Sequence, residues 1–285
     1  MNGIILIDKE KNYTSHDVVA CAKKMAKTKV GHTGTLDPNA TGVLPLLIGD
    51  ATKVSKYLIN HDKEYDVELQ LGKKTTTADI EGEIIEEKEV PQWIFSNIKK
   101  LEDGLQDFVG KQTQIPPIYS AIKVNGKKLY EYARKNQEVK IKPRNIEIYS
   151  IKLIRTNKNE NTIKFKVSCS KGTYIRSLCE DIAKKLETVG FMKNLRRTRV
   201  GQFKIENAKT LDNINFEKDL ISIEELFKNE PKIEINKSKE KAFLNGVKIS
   251  QNVKDGVVRI YMENKFIGLG IAENNKVKRD IIINI

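Results

Sequence analysis

The stretch Gly31-His32-Thr33-Gly34-Thr35-Leu36-Asp37-Pro38-Asn39-Ala40-Thr41-Gly42 runs without a break into Val43-Leu44-Pro45-Leu46-Leu47-Ile48, and this junction constrains the fold more than any other segment. Glycines permit positive φ and close backbone approach, while Pro38 removes a donor and biases Asp37 towards an extended conformation. The apolar run behind them reads as a buried strand, so the segment is a loop anchored on a sheet. It gathers an acid, a histidine and glycines in one place. Taken alone, such a loop is more often a plain turn, with Asp37 bonding its own backbone and His32 filling a gap.

The rest of the chain reads as α+β. Ile4 to Ile7 is a strand, and Thr14 to Ala26 a helix opened by Thr14 and Asp17 in capping-box spacing, with Val18, Val19, Ala22 and Met25 turned inward. Asp50 begins a further short helix. Tyr65 to Leu71 alternates as a strand, and so do Ile163, Phe165, Val167 and Cys169 against their polar neighbours. Ile175, Leu178, Ile182 and Leu186 recur at helical spacing, which puts Arg176 in the first turn of a helix that follows a strand. From Lys232 onward short strand-like runs, among them Val257 to Met262 and Phe266 to Ile271, are punctuated by glycines. Asn229-Glu230-Pro231 reads as the linker before them.

Composition narrows the function. The 285 residues suit one large domain plus a small one, or two ordinary domains. No apolar run approaches the roughly 20 residues that span a membrane, and Gly3 to Ile7 is too short for a signal peptide, so a cytoplasmic protein is expected. Cys21, Cys169 and Cys179 are scattered and form no ligand pattern with His16, His32 and His61, which argues against a disulfide framework or a structural zinc. Walker A and dinucleotide fingerprints are missing from the sequence. No cofactor and no metal are expected, and the chemistry falls to side chains.

A net charge of +13 suits a polyanionic partner. From Lys111 to Asn145 nine Lys or Arg stand against two Glu, with Tyr119, Tyr130 and Tyr132 among them. Cations neutralise phosphates and rings stack on exposed bases, although a solvated lysine-rich face would look the same. Arginine is sparse, nine against forty-two lysines, yet three are Arg196, Arg197 and Arg199 and a fourth is Arg176 in Lys171-Gly172-Thr173-Tyr174-Ile175-Arg176-Ser177-Leu178. Where Lys is the default cation, Arg suggests that fork geometry is wanted.

Several segments together resemble the TruB family of tRNA pseudouridine-55 synthases. The Asp37 loop is similar to the family's catalytic motif, and Gly3-Ile4-Ile5-Leu6-Ile7-Asp8-Lys9 with Thr14-Ser15-His16-Asp17-Val18-Val19 to its N-terminal motif. Lys63-Glu64-Tyr65 resembles the segment with the active-site tyrosine, Gly110 through Arg134 the RNA-clamping thumb, Lys171 to Leu178 the motif of the arginine partner, and Leu195 to Phe203 the final core motif. The C-terminal segment, with Leu244-Asn245-Gly246 and Phe266-Ile267-Gly268-Leu269-Gly270, is similar to a PUA-like RNA-binding domain. Where the family commonly has Pro and Gly after the Asp-Lys pair, this chain has Glu10 and Asn12; Asn tolerates the left-handed region, so a turn is kept.

The resemblance implies an α+β pseudouridine synthase core, a mixed and largely antiparallel sheet with flanking helices. It implies a catalytic domain over 1–228 with a thumb insertion at about 111–145, and a small β-rich PUA-like domain over 232–285. It implies Asp37 as nucleophile on a flipped-out uridine, Arg176 as its partner and Tyr65 stacked on the target base. His32 would insert into the RNA loop, Lys9 would contact RNA or support the Asp37 loop, and Tyr174 and Leu195 would meet the substrate. Lys123, Lys127, Lys128 and Arg134 would hold RNA. The expected partner is the T-arm of tRNA, with no membrane, no obligatory protein partner and a monomeric state. Two alternatives stand beside this one: a guide-dependent H/ACA-type synthase, whose members lack the thumb, and a non-catalytic RNA-binding or remodelling protein.

Overall fold

A computed structural model describes residues 1–135 and 137–283; Asn136 of the expected thumb and residues 284–285 of the expected C-terminal domain lie outside the described residues. In chain order the strands are β1 (Gly3–Lys9), β2 (Val30–His32), β3 (Thr41–Ile48), β4 (Lys63–Leu71), β5 (Lys73–Thr75), β6 (Ile84–Glu87), β7 (Gly110–Gln114), β8 (Lys123–Val124), β9 (Lys127–Lys128), β10 (Arg144–Asn157), β11 (Thr162–Cys169), β12 (Gly190–Val200), β13 (Phe203–Lys204) and β14 (Ile221–Ser222). There follow β15 (Lys232–Glu234), β16 (Ile249–Ser250), β17 (Gly256–Met262), β18 (Lys265–Glu273) and β19 (Lys276–Ile282).

The large sheet runs β14-β1-β3-β12-β4-β11-β10-β7, with β2 on β3 and β13 on β12. Its neighbours pair antiparallel, except that β3 and β12 meet in a short parallel pairing, Arg196 opposite Thr41 and Arg197 opposite Gly42. That seam joins two antiparallel halves. The fold is therefore α+β, with a mixed sheet at its centre and a separate five-stranded sheet, β15-β17-β18-β19-β16, at the C-terminal end.

Burial follows the sequence pattern. Strand β1 is apolar from Ile4 to Ile7 because both of its faces are covered there: Ile4 and Leu6 pack with Val43 and Leu47, while Ile5 and Ile7 pack with Leu44, Leu46 and the helix Ser15–Ala26. Strand β4 alternates instead, and Tyr65, Val67, Leu69 and Leu71 enter a core shared with Phe165 and the helix Ile175–Lys185. Thr14 caps the first helix as expected, its side chain accepting from Asp17 N–H while Asp17 bonds back to Thr14 N–H. Met25 departs from expectation. It is exposed, because the stripe that meets the sheet runs through Ser15, Val18, Ala22 and Ala26 at helical spacing and Met25 lies to one side of it.

The C-terminal sheet has its own core around Phe243, Ile260 and Val277. Leu269 and Ile281 also join the core under β1 and β3, and Lys56 and Tyr57 both bond the Asp280 carboxylate. Among the described residues no helix is long and apolar enough to cross a membrane.

Candidate active site

The parallel seam positions the Asp37 loop. Residues 33–40 link β2 to the start of β3, and the amide of Ala40 bonds the Asp37 carbonyl at 3.0 Å, closing a turn over Pro38 and Asn39. Of the glycines at this junction Gly42 alone takes a positive φ, +110°, whereas Gly31 and Gly34 do not. A Cβ at Gly42 would lie 2.2 Å from the Arg197 carbonyl oxygen. The strand pairing thus requires glycine at this position.

Three side chains suspend the loop from below. Arg197, only 1% exposed, donates from Nε to the Val43 carbonyl (2.9 Å), from Nη2 to Gly34 (3.0 Å) and from Nη1 to Thr35 (3.4 Å). Lys9, with no exposed surface, donates from Nζ to the carbonyls of Glu10 (2.9 Å), Tyr13 (2.6 Å) and Pro38 (3.0 Å). Ser15 Oγ accepts the Leu36 amide at 2.9 Å. Asn12, at φ 67°, turns the chain so that its amide bonds the Pro38 carbonyl at 3.1 Å. Burial lowers Lys9 from the usual amine value to about 8, against the pull of the Asp37 carboxylate.

With its backbone so held, Asp37 turns its carboxylate towards Arg176. Arg176 Nε lies 3.1 Å from Oδ2 and Nη2 lies 3.3 Å from Oδ1, a two-pronged contact. Arg176 is itself buried in the first turn of the helix Ile175–Lys185. Its Nη2 also donates to the Tyr119 carbonyl at 2.9 Å, and Nη1 stands 3.7 Å from Asp79 Oδ2. Burial pushes the Asp37 carboxyl above its ordinary value and Arg176 pulls it back down. A carboxylate so placed is half-buried and oriented, which suits a nucleophile.

The other expected residues surround this pair to different degrees. Tyr65 is buried on β4 opposite Arg197, and burial raises its hydroxyl to about 12, so it carries its proton at neutral pH. Leu195 and Asp37 line one small cavity of about 10 Å³, and the Asn39 amide donates to Glu81 Oε1 at 2.7 Å across its rim. His32 stands at the end of β2, its Nδ1 accepting the Gly34 amide at 3.2 Å and its ring edge-on to His16 with centroids 5.9 Å apart. Tyr174 is the cap residue of the Arg176 helix. Lys9 faces the loop and not solvent, its amine held by backbone carbonyls on both sides of the turn.

The thumb carries Lys123, Lys127 and Arg134 on its exposed side, and Lys123 lies directly opposite the half-buried Lys128 across β8 and β9. Like charges facing one another repel, so a polyanion relieves this surface. Two of the thumb's aromatics contact the thumb itself. The Tyr130 ring is flanked by Lys128 Nζ and by the Arg134 guanidinium, each 5.3 Å from its centroid, and Tyr132 donates to the Val124 carbonyl. Those two rings serve the thumb's own structure.

Residues 22–175 match the TruB family pseudouridylate synthase (N terminal domain), residues 176–225 the tRNA pseudouridylate synthase B C-terminal domain, and residues 231–278 the pseudouridine synthase II TruB C-terminal domain. The chain belongs to the TruB family. It is 43% identical over 282 residues, 98% of each chain, to the tRNA pseudouridine synthase B of Caldanaerobacter subterraneus subsp. tengcongensis. To the protein of the same name from Clostridium tetani it is 43% identical over 280 residues, 95% of each chain. Among solved structures it is similar to a chain in an H/ACA RNP bound to a substrate RNA containing 2'-deoxyuridine, with TM-score 0.68, 27% identity, and 98% of this chain and 84% of that one covered. A chain in a Cbf5-Nop10-Gar1 complex gives TM-score 0.68 and 28% identity over 99% and 83%. As a TruB family member the chain is a pseudouridine synthase.

Reading the sequence left several members of this TruB site without a role. Arg197 stood out as one arginine of a cluster, but nothing local tells that it is buried beneath the loop. Asp79, beside Arg176, carried no signal beyond residue type, and Gln114, bonded to Tyr174, stood in Gln114-Ile115-Pro116-Pro117 of the thumb resemblance without a role of its own. Lys63 is also buried close by, its amine given over to the carbonyls of Ile59 and His61.

Proposed function

We propose that this chain isomerises uridine-55 in the T-loop of tRNA to pseudouridine, with Asp37 as the nucleophile on a uridine flipped out of the RNA. The observation that carries the proposal is the two-pronged contact of Arg176 with Asp37 beside a small cavity. The names of the curated relatives support tRNA as the substrate. The reaction breaks the N-glycosidic bond, turns the base and rejoins it through carbon 5, so it consumes no redox equivalent and no energy donor. Asp37 serves by adding to the base or to the ribose anomeric carbon, or by assisting elimination to a glycal.

The surrounding residues suit this role. A free volume of about 10 Å³ holds no more than one water, so a uracil is admitted only when the rim bridged by Asn39 and Glu81 parts. Tyr65 offers a ring for the base to stack on, worth about 1–3 kcal/mol against the few kcal/mol that flipping costs. The basic thumb supplies the phosphate contacts that a guide ribonucleoprotein would otherwise provide, and it favours a stand-alone enzyme.

The test is tritium release from a T-arm RNA labelled at uridine carbon 5, with no guide RNA and no added cofactor. Release by the wild type and none by Asp37→Asn is the expected result. Equal release by both chains removes Asp37 from the chemistry. Tight RNA binding without release by either shifts the assignment to a guide-dependent or remodelling role.

A further inference from the structure

One amide side chain of the thumb makes two hydrogen bonds to the start of the helix that carries Arg176. Gln114, the last residue of β7 and only 4% exposed, accepts the Tyr174 amide on Oε1 at 2.8 Å and donates from Nε2 to the Tyr174 carbonyl at 3.0 Å. Tyr174 is the residue from which the helix springs, two positions before Arg176, and its own side chain makes no capping bond. Gln114 therefore holds both polar groups of the backbone unit that sets where Arg176 leaves the main chain.

Two more bonds tie the same short segment to the same helix turn. Ser177 Oγ donates to the Ile115 carbonyl at 2.9 Å, and the Tyr119 carbonyl accepts from Arg176 Nη2 at 2.9 Å. The guanidinium is thus gripped at its tip by one end of this segment while its helix is gripped at its base by the other. The distances to Asp37, 3.1 and 3.3 Å, sit at the long end of good hydrogen-bond geometry. A shift of a few tenths of an ångström would break one prong. Only fixed backbone on both sides keeps the two prongs and the Tyr119 contact satisfied together.

We infer that Gln114 is a positioning residue for the Asp37–Arg176 pair, acting through the Tyr174 backbone, and that it couples the seating of the thumb to the geometry of that pair. The inference rests on the proposed role of Asp37. A residue that only fills a buried polar site would lower stability when lost and leave the chemistry of the folded fraction alone. A positioning residue changes the turnover step and the ionisation of Asp37, because Arg176 is what opposes the rise that burial imposes on that carboxyl.

The experiment compares wild type, Gln114→Met, Ser177→Ala and Asp37→Asn by tritium release from labelled T-arm RNA, with kcat and KM measured across the acid pH range and thermal unfolding followed in parallel. Met fills the space of Gln without either hydrogen bond. The expected result for Gln114→Met is a loss of about tenfold to a hundredfold in kcat, KM held within about threefold, and an acid limb of the kcat profile moved to higher pH. Wild-type kcat with an unmoved limb overturns the inference, and so does a loss of activity that merely tracks the unfolded fraction. If Gln114→Met does not fold, Ser177→Ala decides: a limb displaced in the same direction supports the coupling and an unmoved one overturns it. Turnover by Asp37→Asn would sink the nucleophile assignment itself. That outcome is separate from a dead Asp37→Asn beside a normal Gln114→Met, which sinks this inference alone.

Discussion

Gly42 and Arg197 face each other where β3 meets β12 in parallel, so closely that a Cβ on Gly42 would stand 2.2 Å from the Arg197 carbonyl oxygen. The same Arg197 sends its side chain under the preceding loop to hold Gly34 and Thr35. The residue that seals the sheet seam also holds the loop of the candidate nucleophile.

Gly42→Ala combines a clash with backbone and a left-handed conformation at φ +110°. It is expected to cost about 3 kcal/mol or more, as a lower urea midpoint with an unchanged slope. A cost below about 1 kcal/mol would show that the seam can open.

Arg197→Met keeps the bulk but strands the carbonyls of Gly34, Thr35 and Val43. Because relief of a buried charge offsets part of the loss, a net destabilisation on the order of 2 kcal/mol is expected. Amide hydrogen exchange should quicken first at Leu36 and Ala40. Exchange that quickened uniformly over the chain would argue against a local anchor.

Arg176→Lys keeps the charge and loses the fork. Asp79 and the Tyr119 carbonyl remain to receive a lysine amine, so the fold should persist while turnover falls about a hundredfold. Burial already raises Asp37 and Arg176 opposes that rise, so weakening the pair raises the carboxyl further and moves the acid limb of kcat to higher pH. Near-normal turnover with an unmoved limb would remove Arg176 from its role.

Lys9 sits at about 8 in the folded protein against 10.5 when free. The unfolded chain therefore binds the extra proton between those values, and the Lys9 contribution to stability grows as pH rises through that window and is lost again as pH falls through about 8. Relative to Lys9→Met, whose side chain does not titrate, the wild type should gain in thermal stability across this range. A constant difference between the two would mean that Lys9 keeps an ordinary amine value in the fold.

Tyr65→Phe preserves the ring and removes a hydroxyl that burial holds near 12. Retained RNA affinity with turnover reduced about tenfold or more would give the hydroxyl a part in proton transfer. Unchanged kinetics would leave Tyr65 as a stacking platform only.

What could be read locally was read well. The capping box at Thr14 and Asp17, the alternation from Tyr65 to Leu71 and the helical spacing from Ile175 to Leu186 each concern neighbours within one or two turns, where residue type and period decide conformation. Met25 and Tyr130 mark where local reasoning stops. Met25 fits an apolar helical period but lies beside the stripe of Val18, Ala22 and Ala26 that meets the sheet, and Tyr130 has two cations of its own thumb near its ring, which residue type alone does not tell.

Residue type and spacing sufficed for the first helix, the strands at Ile4, Tyr65 and Ile163 and the basic insertion, and the family resemblance pointed to Asp37 and Arg176. How these residues meet is a matter of tertiary packing. Asp37 and Arg176 are 139 positions apart, and Gln114 and Tyr174 are 60 apart. Such contacts arise when strands register and helices dock, and no local period encodes them. The same holds for Arg197 and Lys9, whose cationic ends are buried against backbone carbonyls. Their residue types suggest a surface, and only the path of the 33–40 loop above them makes burial favourable, because its carbonyls replace the water each cation gives up.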